Sequence, residues 1–138
     1  MRLFADSSAL VKRYIAEPAR ELVLARCAEA DEILASIIAM PEIMATLNRL
    51  QRAGTLSDEE YKALKQRVLA DMEHATIVSI TPTVLASTIM SLERAPLRAM
   101  DAIHVASALG CSPDRFLTAD QRQHEAAEAM GLKSEFVG

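Results

Sequence analysis

Five short apolar runs are spaced so widely along this chain that no two of them can be joined by a hairpin. They are Arg2–Ala5, Ile33–Ile37, Ala75–Ile80, Phe116–Thr118 and Ser134–Val137, and each gap between them carries a stretch of helical spacing. Strands separated by helices pair through right-handed crossovers, which gives a parallel sheet covered on both faces. The unbroken run Ile33-Leu34-Ala35-Ser36-Ile37 fits such a doubly covered strand. The expected fold class is therefore α/β. With 138 residues and no internal repeat or linker, a single domain over residues 1–138 is expected, large enough to bury a core without disulfides.

The helical stretches carry their own punctuation. Ser7-Ser8 opens the first, which continues through Ala9, Leu10 and Tyr14. Pro18 suits the first position of a second helix whose Val23, Cys27 and Ala30 share a face. Pro41 opens a third, with Ile43, Met44, Leu47 and Leu50 on one side and Gly54 as its stop. Ser57 and Glu60 form a capping box for a fourth, carrying Tyr61, Leu64, Val68 and Met72. Thr81-Pro82 caps a fifth. A sixth starts near Asp101 and ends at Gly110 and Pro113, and a seventh follows Asp120 and stops at Gly131, where a left-handed glycine lets Leu132 fold back.

Four acids occupy matching places in this pattern. Asp6 ends the first strand, Glu42 lies in the first turn after the second, Asp101 opens a helix, and Asp120 follows the fourth strand. Strand exits of an α/β sheet converge on its carboxyl edge, where ligands bind. Carboxylates gathered there raise one another's pKa, and a divalent cation removes that difficulty. No Cys or His pair stands at coordinating spacing, so the oxygen-only set favours Mg²⁺ or Mn²⁺. Such an ion activates water and stabilises charge on a phosphate, so phosphodiester hydrolysis is the expected chemistry. Taken singly, each acid also reads as a helix cap or dipole partner. His104 stands three residues after Asp101, close enough on a helix to approach it, yet reads more simply as a packed histidine with locally satisfied nitrogens. Arg49, two turns after Glu42, suits either an RNA phosphate or solvent.

Composition trims the alternatives. A chain 51% hydrophobic and 25% charged is globular rather than disordered. It has no apolar run near the ~20 residues of a membrane span and no secretory leader pattern after Met1, so a cytoplasmic protein is expected. Cys27 and Cys111 are far apart and read as reduced packing thiols. A net charge of -4 argues against a sequence-independent DNA coat, while Lys12, Arg13, Arg49, Arg52, Arg98 and Arg122 are expected to supply local positive surface.

The segments Asp6-Ser7-Ser8-Ala9-Leu10-Val11-Lys12, Pro41-Glu42, Arg98-Ala99-Met100-Asp101-Ala102-Ile103-His104-Val105-Ala106 and Phe116-Leu117-Thr118-Ala119-Asp120 together resemble the PIN-domain family in residue type, order and spacing. The compact form resembles the VapC toxins of toxin–antitoxin pairs. This resemblance implies a three-layer α/β/α fold with sheet order 3-2-1-4-5 and a Mg²⁺- or Mn²⁺-dependent endoribonuclease acting on RNA. Asp6, Glu42, Asp101 and Asp120 match the family's acidic positions and are the implied metal ligands. Thr118 matches its Thr or Ser and joins them as a catalytic residue that positions an acid or a water. The implied partners are a small antitoxin and a second copy of the chain as a homodimer, with the apolar helices Ile37–Leu50 and Leu56–Met72 as the expected clip.

Two rival readings lack a residue. A Mg²⁺-binding signalling receiver needs a phosphate-accepting Asp after the third strand, where Ser79-Ile80-Thr81-Pro82 stands, and a haloacid dehalogenase phosphatase needs an Asp where Ser8 stands. A PIN fold kept only for binding is the remaining alternative, and the complete acidic set argues against it.

Overall fold

The computed structural model describes residues 1–138. Strand β1 (Arg2–Ala5) leads into α1 (Ser7–Leu10), a 3₁₀ turn over Val11–Arg13, α2 (Arg20–Glu29) and β2 (Glu32–Ser36). The hairpin of α3 (Ala39–Arg52) and α4 (Asp58–His74) precedes β3 (Thr76–Val78), and α5 (Pro82–Arg94) and α6 (Ala99–Cys111) precede β4 (Arg115–Thr118). Helix α7 (Gln121–Ala129) and β5 (Ser134–Phe136) complete the chain. All five strands pair in parallel, in the order β3-β2-β1-β4-β5, as the resemblance implied. No helix is long and apolar enough to cross a membrane.

Strand β1 is central, and its Leu3, Phe4 and Ala5 are fully buried. Alternation along a strand sends successive side chains to opposite faces. Leu3 and Ala5, with Ala35 and Leu117, meet the core under α1–α4, including Ile43, Leu47 and Val68. Phe4, Leu34 and Phe116 point the other way, against Val105 and Ala108 of α6 and Ala127 of α7. Phe4 and Phe116 are register partners whose rings stack at 5.6 Å between centroids. The result is three layers.

Local signals set several boundaries as read. The Ser57–Glu60 capping box is formed in both directions, Thr81 caps α5 ahead of Pro82, and Gly131 adopts φ 90°. Leu132 N–H donates to Ala127 O and Gly131 N–H to Glu128 O, so the left-handed glycine closes the last carbonyls of α7. Other boundaries differ. Helix α2 begins at Arg20 rather than at Pro18, because Ala19 takes a left-handed conformation at its cap, and Ala30 falls beyond the last turn. Pro41 sits inside the first turn of α3, which starts at Ala39. Gly110 stays helical, and Ser112 supplies the left-handed stop with φ 48°.

Candidate active site

The β1 ladder runs one residue past the strand. Asp6 N–H donates to Leu117 O at 3.1 Å, fixing Asp6 at the carboxyl edge beside the end of β4. Asp6 is 1% exposed and caps α1. Its Oδ1 accepts from Ala9 N–H at 3.0 Å and Ser8 Oγ at 2.6 Å, and its Oδ2 accepts from Thr118 Oγ1 at 2.5 Å. With both hydroxyl protons aimed at Asp6, the same oxygens accept from the loop after β4. Ala119 N–H reaches Ser8 Oγ at 2.9 Å, and Asp120 N–H reaches Thr118 Oγ1 at 3.1 Å. Two hydroxyls thus stitch the exit of β1 to the exit of β4, and Thr118 acts on an acid.

Asp120 caps α7, taking Arg122 and Gln123 N–H on Oδ1 and leaving Oδ2 outside the cap. Asp101 lies in the first turn of α6. Burial, and then the charge of Asp120 with a further contribution from Asp6, push its carboxyl above the ordinary range, against the pull of His104 and Arg98. Burial likewise raises Asp6, against His104 and the hydrogen bonds from Ser8, Thr118 and Ala9. The fold therefore brings Asp101 within the fields of Asp120 and Asp6.

Glu42 is held differently. Its Oε1 accepts from Ser7 Oγ at 3.0 Å and meets His104 Nε2 at 2.5 Å. Burial opposes its ionisation, but the hydrogen bond and charge of His104, aided by Ser7, outweigh that and hold it below the usual carboxylate range. The sequence placed His104 against Asp101, or in the core with satisfied nitrogens. Instead its 1% exposed ring bridges from α6 to α3, and Nδ1 finds no protein partner. The available signal was a histidine on the otherwise small and apolar stretch Ala102–Ala108.

The basic residues also sort themselves. Lys12 supplies no positive surface: it is buried, and Nζ donates to Pro18 O. Arg13 lies 3.5 Å from Asp71. Arg98 is exposed at the start of α6 and acts on Asp101, and Arg49 is exposed on the last turn of α3.

The donors fit a hard divalent cation in kind, since every free carboxylate oxygen is a hard ligand and the field that raises Asp101 is one a cation would relieve. They are not drawn around one point, for no three His, Cys, Asp or Glu side chains stand close enough to ligate a single ion together. An ion here would be held partly through water.

The PIN domain family model matches residues 3–129. The chain belongs to the PIN-domain family. Within that family, Ribonuclease VapC49 of Mycobacterium tuberculosis is 33% identical over 134 residues, spanning 95% of this chain and 92% of the relative. The PIN fold recurs in a toxin–antitoxin complex from Klebsiella pneumoniae, with TM-score 0.67 and 17% identity over 89% of both chains. It recurs again in VapC20 of M. tuberculosis, a sarcin-ricin loop cleaving toxin, with TM-score 0.68 and 16% identity over 94% of this chain and 95% of that one. PIN proteins of the VapC type are generally divalent-metal-dependent ribonucleases.

Proposed function

We propose that the chain is a VapC-type endoribonuclease, the toxin of a toxin–antitoxin pair, acting in the cytoplasm with Mg²⁺ as its ion and Mn²⁺ as a substitute. The observation that carries this reading is the stitching of Asp6 at the β1 exit to the loop of Asp120 at the β4 exit through Ser8 and Thr118, beside Asp101, whose ionisation burial and the charges of Asp120 and Asp6 oppose. Asp6, Asp101 and Asp120 would hold the ion directly or through waters, and Glu42 would offer the oxygen that Ser7 and His104 leave free. When bound, a divalent cation supplies Lewis acidity, acidifying water and offsetting charge on the attacked phosphate.

The chain's own residues do the rest. Thr118 and Ser8 lock the carboxylate of Asp6 in place, and burial keeps it from swinging into solvent. Asp120 is oriented by its cap, and the exposed Arg98 and Arg49 are suited to RNA phosphates flanking the cut.

The antitoxin's proposed seat is an apolar groove of about 550 Å³ where Tyr14 and Ile15 face Leu50, Leu56 and Leu64 of the α3–α4 hairpin. Within the helices expected to form the clip, Leu64 lines this groove and also packs against the core, as Met44 does without lining the groove. A second copy of the chain is proposed on the exposed face of α5, where Leu85, Ile89 and Met90 are each about half exposed. Light scattering reads that assembly.

The test is cleavage of a structured-RNA pool by the purified chain with Mg²⁺, with Mn²⁺ and with EDTA, beside Asp101→Asn. Cleavage that needs both the ion and Asp101 is expected. Cleavage in EDTA, or by the variant at full rate, contradicts the proposal. Tight ion binding with no cleavage of any RNA offered favours the binding-only PIN fold.

A further inference from the structure

His104 is the buried polar side chain that the acidic site leaves without an assigned task. It lies on α6 one turn beyond Asp101, 1% exposed, among Ala102, Val105, Ala106 and Ala108, all fully buried. Its Nδ1 has no protein partner, so packing alone favours an apolar side chain there. What the ring does have is Glu42, 2.5 Å from Nε2, on a different helix and 62 positions away in sequence. The same Oε1 takes the Ser7 hydroxyl at 3.0 Å, from the residue next to Asp6. Two donors on one oxygen fix the carboxylate plane and leave Oε2 with no protein donor. A carboxylate only accepts, so the imidazole donates through Nε2.

We infer that His104 is a positioning residue for the metal site: it ties the Glu42 carboxylate of α3 to α6, the helix that carries Asp101, leaving Oε2 free to take the ion. The inference rests on the reading of Glu42 as a ligand. Outer partners of ligating carboxylates act in this way, and losing one typically weakens metal binding about 10–100-fold. His104 also acts electrostatically on Asp6 and Asp101, which agrees with a place behind all three acids.

Calorimetric titration of Mn²⁺ into the full metal-free chain tests this without relying on turnover. His104→Gln places an amide nitrogen where Nε2 stands and keeps the bond to Glu42. His104→Asn has the same chemistry but places its amide at the Nδ1 position, out of reach. The glutamine variant is expected to bind Mn²⁺ like the wild type, and the asparagine variant roughly tenfold or more weakly. Glu42→Gln should weaken binding comparably, and adding His104→Asn to it should weaken binding no further, because the two act through one carboxylate. His104→Leu should behave like His104→Asn; should it not fold, the Gln and Asn pair decides.

Equal Mn²⁺ affinity in His104→Asn and the wild type, with Glu42→Gln weakened, overturns the positioning role and leaves the metal site standing. Equal weakening by Gln and Asn overturns it too, since the bond would then be irrelevant. Unchanged affinity in Glu42→Gln removes Glu42 from the site, and the inference with it.

Discussion

The two edges of the sheet are built from the same residue types and are electrostatic opposites. At the amino edge acids face bases. Arg2 Nε meets Glu32 at 2.8 Å, the terminal amine pairs with Asp31, and the Arg2 backbone N–H reaches Asp114 at 2.6 Å. The Arg2 hydrogen bond, with Thr76 behind it, draws Glu32 below its ordinary range. At the carboxyl edge acids face acids: burial raises Asp6 and Asp101, and Asp120 pushes Asp101 further. One edge is arranged for folding and the other holds unrelieved charge, which is the pattern of a functional site.

The largest expected difference between the edges is in activity. Asp101→Asn should lower RNA cleavage by roughly a thousandfold, from the several kcal/mol a metal site supplies to the transition state, while thermal unfolding in EDTA stays at or above the wild-type temperature. A melting temperature well below wild type would erase the contrast, because the acid would then be stabilising the fold as the amino-edge acids do.

Next is the response to the ion. Raising Mg²⁺ to about a hundred times its dissociation constant should stabilise the wild type by ~2.7 kcal/mol, and this gain should vanish in Asp6→Asn. Arg2→Ala should keep the full Mg²⁺ gain, since its partners lie at the other edge.

A smaller effect separates two acids within the carboxyl edge. Asp6 has a raised folded-state pKa, so its contribution is present below about pH 3.9 and is lost as pH rises through the folded value. In EDTA, Asp6→Asn should therefore gain on the wild type as pH rises. Asn can also serve as the cap of α1. Glu42 has a lowered folded-state pKa, so its contribution is present above about pH 4.3 and is lost as pH falls through the folded value. Glu42→Gln should be less stable than the wild type near neutrality, with the gap closing in acid. Denaturant titrations across pH 3–7 read both slopes, and slopes of the same sign would contradict the different roles given to these acids.

The smallest effect belongs to the amino edge itself. Arg2→Ala breaks the Glu32 pair and the hydrogen bonds to the Cys111 and Ser112 carbonyls, and should lower the melting temperature by only a few degrees with cleavage unchanged, because ion pairs and hydrogen bonds this open to solvent are weak.

What could be read in advance followed the range of the interaction. Ser57 with Glu60, Thr81 with Pro82, and Gly131 with Leu132 act within a few residues, and their residue types alone specify them. The parallel sheet was equally legible, since the spacing of the apolar runs left no hairpins. The four acids were legible too, from their places at strand exits and helix starts, whereas the strand order came from the family likeness. Features decided by distant packing were not legible. Ala19 and Ser112 take left-handed conformations with no glycine to announce them, and Lys12 is buried with its amine donating to the carbonyl of Pro18. The Glu42–His104 bond joins α3 to α6, and only the way those helices meet across β2 reveals it.

The most direct measurement of the central claim is anomalous diffraction from crystals of the chain soaked in Mn²⁺. The account predicts an Mn²⁺ peak at the carboxyl edge, with oxygens of Asp6, Asp101 or Asp120 at ligating distance or one water away. Mn²⁺ bound only elsewhere on the molecule, or excluded from this edge at saturating concentration, would contradict it.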